Sequence, residues 1–241
     1  MKMVAIAAFR PDDERLAAAV SLLESLGVEP VADPMLAVDP TGVKPREDAD
    51  YAVLTSKTGV ELAADAGWIP TGQLCAIGES TAGHLRDHGY DVSVVPEEFS
   101  SVGLVAHLED EVAGKRGEVA RSDHGSDVLL DGLNDAGGYV HETVLYRLTR
   151  PPESGESADL AARGELDGAL FTSSLTVENF LDAAAERGVR EAAVDGLNAA
   201  VVGCIGTPTR ETAEEVGIAV DVVPDEADFE ALARAVVAQL E

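Results

Sequence analysis

The stretches Ile77-Gly-Glu-Ser-Thr81 and Ile205-Gly-Thr-Pro-Thr209 open two copies of one pattern that organises this 241-residue chain. Each copy continues through a helical stretch ending at glycine, a valine-rich segment, a proline and a second helix start. At an offset of 128 residues the following pairs are identical: Ile77/Ile205, Gly78/Gly206, Thr81/Thr209, Gly89/Gly217, Val92/Val220, Val94/Val222, Val95/Val223, Pro96/Pro224, Glu98/Glu226 and Leu104/Leu232. So many matches indicate two similar halves.

A second matched pair lies upstream of each copy. Asp50-Tyr-Ala-Val-Leu-Thr55-Ser56 corresponds to Asp167-Gly-Ala-Leu-Phe-Thr172-Ser173 at an offset of 117 residues. Each member reads as a short apolar strand that ends in Thr-Ser where a helix begins. The two halves therefore share a strand-turn-helix order and differ by about eleven residues of loop.

The rest of the chain alternates between short apolar segments and helical segments of about ten residues. Strands are predicted over 2–9, 29–38, 50–55, 74–77, 91–95, 118–121, 139–148, 168–172, 199–205 and 218–223. Helices are predicted over 12–26, 59–66, 80–88, 101–112, 127–136, 159–164, 176–187, 208–216 and 228–240, with a linker over 151–157. This alternation predicts an α/β protein with parallel sheets flanked by helices.

The domain organisation follows from a count of strands. The part after residue 157 supplies three strands, so the first two strands of the chain are expected to join them. The sequence predicts a discontinuous domain of residues 1–36 and 150–241, and an inserted domain of residues 40–145. Linkers over about 34–40 and 145–151 would connect the two.

The composition is strongly acidic. A net charge of −28 arises from 45 acidic and 17 basic residues, spread over most predicted helices and loops, which is typical of a solvated surface suited to high salt. Nucleic acid is excluded as a partner because phosphate binding needs clustered Lys and Arg. No apolar run approaches the roughly 20 residues that span a bilayer. A cytoplasmic protein without a membrane partner is expected.

The sequence contains no recognisable metal or nucleotide motif. Cys75 and Cys204 stand at nearly equivalent strand positions of separate halves, and we expect both to be buried free thiols. There is no CxxC, HExxH, GxGxxG or phosphate-loop sequence. No metal and no cofactor are expected.

Small hydroxyl residues mark four turns between a strand and a helix. In parallel sheets ligands bind outside the carboxyl ends of the strands, where helix N-termini offer free N–H groups to anions. The same residues could also serve as plain helix caps. The four turns contain Thr55 and Ser56, Ser80 and Thr81, Thr172 and Ser173, and Thr207 and Thr209.

Tyr146 is one of four tyrosines and lies in the second predicted linker. It is a candidate acid-base group, because no Ser-His-Asp or Cys-His order can be argued from five scattered histidines. The alternative is a packed linker aromatic, and the residues alone favour neither interpretation.

The chain resembles the uroporphyrinogen-III synthase family as a halophile-type acidic member. The resemblance covers essentially the whole chain, and its order and spacing are fairly specific. It rests on Arg10-Pro11, Leu54-Thr-Ser56, Ala76-Ile-Gly-Glu-Ser-Thr-Ala82, Arg121-Ser-Asp-x-Gly125, Val144-Leu-Tyr-Arg147, Phe171-Thr-Ser-Ser174 and the Gly206 to Pro224 copy.

The resemblance implies two α/β domains, a two-stranded linker and an active site in the cleft between the domains. It implies a lyase of tetrapyrrole biosynthesis that cyclises hydroxymethylbilane to uroporphyrinogen III with inversion of ring D and loss of water, using no cofactor. By position, Thr81 and Thr209 match the helix-start threonines of the family, and Ser56 and Ser173 match its strand-end serines. Tyr146 matches the tyrosine thought to assist hydroxyl loss.

These points give a site hypothesis for a monomeric enzyme acting on a linear tetrapyrrole. Amides and hydroxyls of the four turns would bind substrate carboxylates, and Tyr146 would act as general acid. Additional positive charge would come from Arg10, Lys57, Arg121 and Arg147. The alternative is a non-catalytic two-domain protein that binds or senses a small anion or a tetrapyrrole.

Overall fold

A computed structural model describes residues 3–240 of the chain. Its elements are, in order, β1 (Ala5–Phe9), α1 (Glu14–Ser25), β2 (Glu29–Ala32), β3 (Ala37–Pro40), β4 (Tyr51–Leu54), α2 (Lys57–Asp65), β5 (Gln73–Ala76), α3 (Glu79–Asp87), α4 (Ser101–Leu108), β6 (Arg116–Ser122), α5 (Asp127–Asp135), β7 (Tyr139–Thr149), α6 (Glu156–Ala162), β8 (Gly168–Phe171), α7 (Ser174–Glu186), α8 (Arg190–Leu197), β9 (Val201–Cys204), α9 (Thr207–Glu215) and α10 (Phe229–Leu240). The chain divides into two compact units. Unit 1 is Met1–Val38 with Thr149–Glu241, and unit 2 is Asp39–Leu148.

Unit 1 is built on a four-stranded sheet of order β2-β1-β8-β9. The pairs β1–β2, β1–β8 and β8–β9 are all parallel. Ala7 and Phe9 pack into an apolar cluster with α6 to α9, whereas Ile6 and Ala8 pack into another cluster with α1 and α10. Helices thus cover both faces, as a parallel sheet requires.

The aromatic centre of unit 1 fixes the carboxyl ends of two strands. The Phe9 and Phe171 rings are 4.5 Å apart, and both pack against Phe180 of α7 at 5.4 Å and 5.8 Å. All three side chains are fully buried, and burial of one phenylalanine contributes about 1.5–3 kcal/mol. The turns that follow β1 and β8 therefore start from a rigid base.

Unit 2 has a five-stranded sheet of order β3-β7-β6-β4-β5. The pairs β4–β5, β4–β6 and β6–β7 are parallel. One face packs Val53 and Val119 against leucines of α4 and α5. The chain passes between the units inside β3 and β7, which are neighbouring strands of this sheet. The architecture of both units confirms the predicted α/β class.

The repeat seen in the sequence is also a structural repeat. Gly89 and Gly217 both end a helix with positive φ, 84° and 89°, a conformation that favours glycine. Isolated parallel bridges join Cys75 to Val94 in one copy and Gly203 to Val222 in the other. Both bridges have the 128-residue offset of the sequence pairs.

Three predicted strands are wrong in extent. The segment 29–38 forms two strands, β2 and β3, with residues 33–36 between them. The valine-rich segments 91–95 and 218–223 form only the two isolated bridges. Pro96 and Pro224 follow these segments, and a proline cannot donate the next hydrogen bond of a ladder. The first residue of the predicted strand 2–9 lies outside the described residues.

The helical pattern after residue 150 also needs correction. The predicted linker 151–157 already contains the start of α6, and the predicted helix 159–164 begins too late. Helix α8 was not predicted at all. It packs tightly on α6 at Gly196, where an added Cβ would overlap the carbonyl oxygen of Ala161.

Both cysteines are free and buried, as predicted. Burial raises the pKa of the Cys75 and Cys204 thiols to about 12, so both stay protonated and inert at neutral pH. Within residues 3–240 no helix is long and apolar enough to cross a membrane.

Candidate active site

Tyr146 and Ser56 form the central hydroxyl pair of unit 2. The Tyr146 Oη and Ser56 Oγ atoms are 3.0 Å apart. Ser56 is also the N-cap of α2, since its Oγ accepts the Gly59 N–H at 3.0 Å. The Tyr146 side chain is buried, with 6% of its surface exposed. The phenol is therefore tied to the N-terminus of a helix, where partial positive charge favours an anion.

A register shift explains how Tyr146 reaches this position. In the β6–β7 pair Arg121 lies opposite Val144, but Ser122 lies opposite Tyr146, so Leu145 is an extra residue. Side chains alternate along a strand, and an extra residue turns those that follow to the other face. Leu145 lies towards α2, because an added Cβ on Gly59 would be 3.6 Å from its Cδ1. The bulge lets Tyr146 point to the same side.

The two serine turns are capped by their own side chains. Ser56 caps α2, and Ser173 caps α7 in a reciprocal box with Thr176, whose backbone N–H lies 3.3 Å from the Ser173 Oγ. Thr172 donates its hydroxyl proton to the Phe9 carbonyl at 2.7 Å. These contacts favour the capping interpretation for both serines, since each serine Oγ already accepts one N–H group of its own helix.

The two glycine turns differ from the serine turns. Gly78 precedes α3 and Gly206 precedes α9, and neither provides a side-chain cap. The backbone of both is extended, with φ of −172° and −169°. The first N–H groups of a helix have no partner within it, so both turns offer amide donors to a ligand. These donors are fewer than usual, because the Thr81 N–H already bonds the Gly78 carbonyl and Pro208 in the first turn of α9 has no N–H. The threonine hydroxyls Thr81 and Thr209 are buried beneath, while Ser80 and Thr207 are exposed.

The surroundings of the two glycine turns are not alike. Phe99 lies against Gly78, so that an added Cβ there would be 3.0 Å from the Phe99 Cβ, and 65% of Phe99 is exposed. At Gly206 the nearest atom to an added Cβ would be Pro208 Cδ at 3.9 Å. The first turn of α3 carries an acidic residue, Glu79, and the first turn of α9 has none.

Arg10 lies at the carboxyl end of β1 in unit 1. Its guanidinium stacks 4.4 Å above the centre of the Phe229 ring, and its Nε is buried without a hydrogen-bond partner within the described residues. Burial lowers the pKa of Arg10, and the nearby Arg15 lowers it further. The group still carries its charge at neutral pH, and an anion would find a partly desolvated donor there.

Arg121 is engaged within unit 2. Its side chain is 4% exposed, its Nε donates to Glu142 at 2.6 Å, and its Nη1 donates to the Ser126 carbonyl. Gly125 lies directly on the guanidinium, which leaves no room for a Cβ. The Arg121-Ser-Asp-x-Gly125 motif thus closes a loop around its own arginine, and this geometry favours a structural role over the predicted contribution of charge.

The remaining predicted residues are accessible. Lys57 is exposed at the start of α2, next to the half-buried Thr55. Arg147 is exposed on β7 and lines a groove of about 590 Å³ together with Thr41 and His141. The structure brings Thr55, Ser56, Lys57 and Tyr146 to one edge of the unit 2 sheet.

A buried glutamate beneath the same groove, paired with a histidine and a threonine that line it, was missed by sequence reasoning. Glu118 is fully buried and accepts hydrogen bonds from His141 Nδ1 at 2.7 Å and from the Thr143 hydroxyl. The two partner residues lie on β7 beside β6, with His141 opposite Glu118. The strand pairing that joins them was not visible in either strand alone. In residues 3–240 no group of three or more His, Cys, Asp or Glu side chains could hold a metal ion.

Comparison with known proteins gives consistent results. The family model described as "Uroporphyrinogen-III synthase HemD" matches residues 17–234. A protein of Methanothermobacter thermautotrophicus, provisionally named a uroporphyrinogen-III synthase, is 31% identical over 222 residues, covering 85% of this chain and 87% of that protein. The uroporphyrinogen-III synthase of Chlorobaculum parvum is 26% identical over 164 residues, covering 67% of this chain and 64% of that protein.

Solved structures show the same fold. A mutant uroporphyrinogen III synthase from the extremely thermophilic bacterium Thermus thermophilus matches with a TM-score of 0.72 at 20% identity, covering 99% of this chain and 100% of that one. A uroporphyrinogen-III synthetase from Helicobacter pylori matches with a TM-score of 0.66 at 16% identity, covering 99% of this chain and 100% of that one. At these identities the matches establish the fold.

Proposed function

This chain belongs to the uroporphyrinogen-III synthase family, and from that membership we propose that it cyclises hydroxymethylbilane to uroporphyrinogen III. The reaction inverts ring D and releases water. The observation that carries the proposal for this chain is the Tyr146–Ser56 hydroxyl pair at the N-terminus of α2. The Tyr146 phenol can protonate a leaving hydroxyl, and the N-terminus of α2 stabilises the negative charge that the phenol then carries.

Tyr146 acts as the general acid. Ser56 Oγ accepts the Gly59 N–H and can donate its own proton to the phenol oxygen. The Tyr146 O–H is then directed at the substrate hydroxyl, and the phenolate left after proton transfer is stabilised by Ser56 and the α2 dipole. Ser56 is in this view a positioning residue for Tyr146, in addition to a helix cap.

The chemical step needs no strong nucleophile. The C–O bond of the hydroxymethyl group breaks, the leaving oxygen takes the Tyr146 proton and departs as water, and the pyrrole nitrogen supplies the electrons. The resulting azafulvene is attacked by ring D at the carbon that already carries the bridge to ring C. That bridge bond then breaks, leaving a second azafulvene on ring C, and it re-forms at the free α-carbon of ring D, whose proton returns to the Tyr146 phenolate. Selectivity for the type III isomer comes from how the two ends are held.

The uncapped turns at Gly78 and Gly206 hold the substrate. Their free amides bind its carboxylates, and the exposed Lys57 and Arg147 and the half-buried Arg10 add positive charge. Thr81 and Thr209 support the two turns from below. The serines of the neighbouring turns are assigned to capping, and Arg121 to holding its loop.

The test is turnover of freshly prepared hydroxymethylbilane at molar salt, with the type III isomer separated from the type I isomer that forms spontaneously. Tyr146→Phe should lower kcat by roughly a hundredfold, the usual contribution of a general acid. Tyr139→Phe is the matched control, since Tyr139 stands on the same strand and is 69% exposed.

Two outcomes count against the proposal at different levels. Full turnover by Tyr146→Phe would remove Tyr146 from the mechanism and leave the activity intact. Production of type I alone by the unaltered protein would instead support a non-catalytic tetrapyrrole-binding protein on the same fold.

A further inference from the structure

Arg210 shares one feature only with Arg10 among the described residues: a buried Nε atom without a hydrogen-bond partner. In a chain with 45 acidic and 17 basic side chains, most arginines pair with a carboxylate, and those that do not are Arg10, Arg46, Arg147, Arg190 and Arg210 within residues 3–240. Arginines that form ion pairs are Arg15, Arg86, Arg116, Arg121, Arg150, Arg163, Arg187 and Arg234. The Arg210 side chain has no hydrogen bond or ion pair within the described part of the chain, and its Nε is buried without a partner.

A partner for Arg210 is present in the sequence but is not used. Glu214 lies four residues further along α9, the spacing at which ion pairs form on a helix surface. The i to i+4 pair Arg234–Glu230 forms on α10, with the same residue types in the opposite order. The Arg210 guanidinium forms no ion pair with this helix neighbour in the described residues, and its buried Nε–H is a donor without an acceptor.

Arg210 lies where ligands bind in parallel sheets. It is in the first turn of α9, which follows β9, and Arg10 directly follows β1. Strands β1 and β9 lie on either side of β8, so the two strands are about 10 Å apart at a spacing of about 4.8 Å per strand. Both arginines have a buried Nε without a partner in residues 3–240. Two such groups at one edge suit a ligand with several anionic groups better than a single small anion.

We propose that Arg210 binds one carboxylate of the substrate, while Arg10 binds a second carboxylate on the other side of β8. The planar guanidinium donates two parallel N–H bonds to a carboxylate, which fixes its direction as well as its place. The uncapped amides of the Gly206 turn lie at the start of the same helix. This inference rests on the proposed function, because it takes the polycarboxylate substrate as the ligand.

The experiment compares Arg210→Gln with Arg210→Lys and with Arg234→Gln. Arg234 is a matched control because it is in the same unit, is exposed and carries the same charge. KM and kcat are measured with hydroxymethylbilane, and binding of uroporphyrin, a stable porphyrin with the same kinds of carboxylates, is titrated in parallel. Arg210→Gln should raise KM about tenfold and weaken uroporphyrin binding similarly, with kcat within about twofold.

Arg210→Lys should recover most of the affinity, and Arg234→Gln should match the unaltered protein. A merely structural role would instead lower the melting temperature of Arg210→Gln and leave KM unchanged. Unchanged KM and unchanged uroporphyrin affinity in Arg210→Gln would overturn the inference. If the unaltered protein makes only the type I isomer, the proposed function fails, and the uroporphyrin titration alone decides the role of Arg210.

Discussion

The Ser173 turn and the Gly206 turn follow neighbouring strands of the same sheet but treat their helix donors in opposite ways. Ser173 uses its side chain to cap α7 in a reciprocal box with Thr176. Gly206 leaves the first turn of α9 without a side-chain cap. Unit 2 repeats the arrangement, with Ser56 after β4 and Gly78 after β5. Each unit therefore places a turn with a side-chain cap, called a closed turn here, beside a turn without one, called an open turn.

This difference teaches how one duplicated pattern serves two purposes. A serine cap satisfies one of the unpaired N–H donors of a helix and stabilises the fold by about 1 kcal/mol. A glycine at the same position sacrifices part of that stability and leaves the donors to a ligand. The open turns then diverge in their neighbours, with Phe99 beside Gly78 and Arg210 beyond Gly206. The backbone is shared, and the side chains around it are not.

The largest effect on substrate binding is expected when an open turn is given a side-chain cap. Gly206→Asp should let the new carboxylate accept the Thr209 N–H of α9, since Pro208 has none, and repel substrate carboxylates. We expect at least a tenfold rise in KM for hydroxymethylbilane, about 1.4 kcal/mol of binding free energy, with stability unchanged or slightly raised. Steady-state kinetics and thermal unfolding at molar salt measure the two effects.

Gly206→Asn is the control for charge, because it can cap the helix without adding a negative charge. Its effect on KM should be the smaller of the two. An unaltered KM in Gly206→Asp would mean that the open turn does not contact the substrate.

The reverse change opens a closed turn. Ser173→Ala removes the cap of α7 and should lower the free energy of unfolding by about 1 kcal/mol, while Ser173→Gly should cost only a few tenths. Neither should alter KM, since the Ser173 Oγ already accepts the Thr176 N–H. Urea unfolding and steady-state kinetics give the two readings, and a clear rise in KM for Ser173→Ala would restore Ser173 to the substrate site.

A third, smaller effect separates charged from uncharged caps. Asp13 caps α1 and accepts the Arg15 N–H at 2.9 Å. Burial acts to raise the pKa of Asp13, but the side-chain and backbone hydrogen bonds from Arg15 outweigh it, and the net pKa is lowered. A carboxylate with a lowered folded pKa stabilises the fold above its unfolded pKa of about 3.9. That contribution is lost as the pH falls through the folded pKa.

Asp13→Ser keeps a cap without a titrating group. We expect the stability of this variant to fall less steeply below about pH 4 than that of the unaltered protein, by a few tenths of a kcal/mol because the site is partly exposed. Unfolding by urea at a series of acidic pH values checks this, and parallel curves for the two proteins would show that the cap carries no pH-dependent stability.

Much of the fold could be read from local signals. Gly89 and Gly217 were expected to end helices, and each has the positive φ that such an end requires. The matched strand-turn-helix segments have matching bridges in the structure. Helix α8 escaped prediction because its N-cap, Val189, gives no local start signal. Its close packing on α6 depends on Gly196 and on residues far away in sequence.

The site was less accessible to sequence reasoning, because identical residue types have different partners. Serine at a strand end looks the same whether it caps a helix or binds a ligand, and only the contacts of Ser56 and Ser173 separate these roles. From the sequence, Arg121 was expected to contribute charge to the substrate site. In the structure its side chain is buried and pairs with Glu142 of the neighbouring strand. Arg210 carried a weak signal, an arginine in a helix turn where acidic residues are usually favoured.

The bulge in β7 makes the orientation of Tyr146 depend on a count of residues. Between the pairing of Arg121 with Val144 and that of Ser122 with Tyr146, one residue is inserted on β7 only. A relative that kept the tyrosine but lost this residue would keep the sheet and turn the phenol away from Ser56. Alignments of such proteins should therefore score the spacing from strand β6 to this tyrosine. A deletion of one residue there would leave the tyrosine in the sequence but turn its phenol away from the serine.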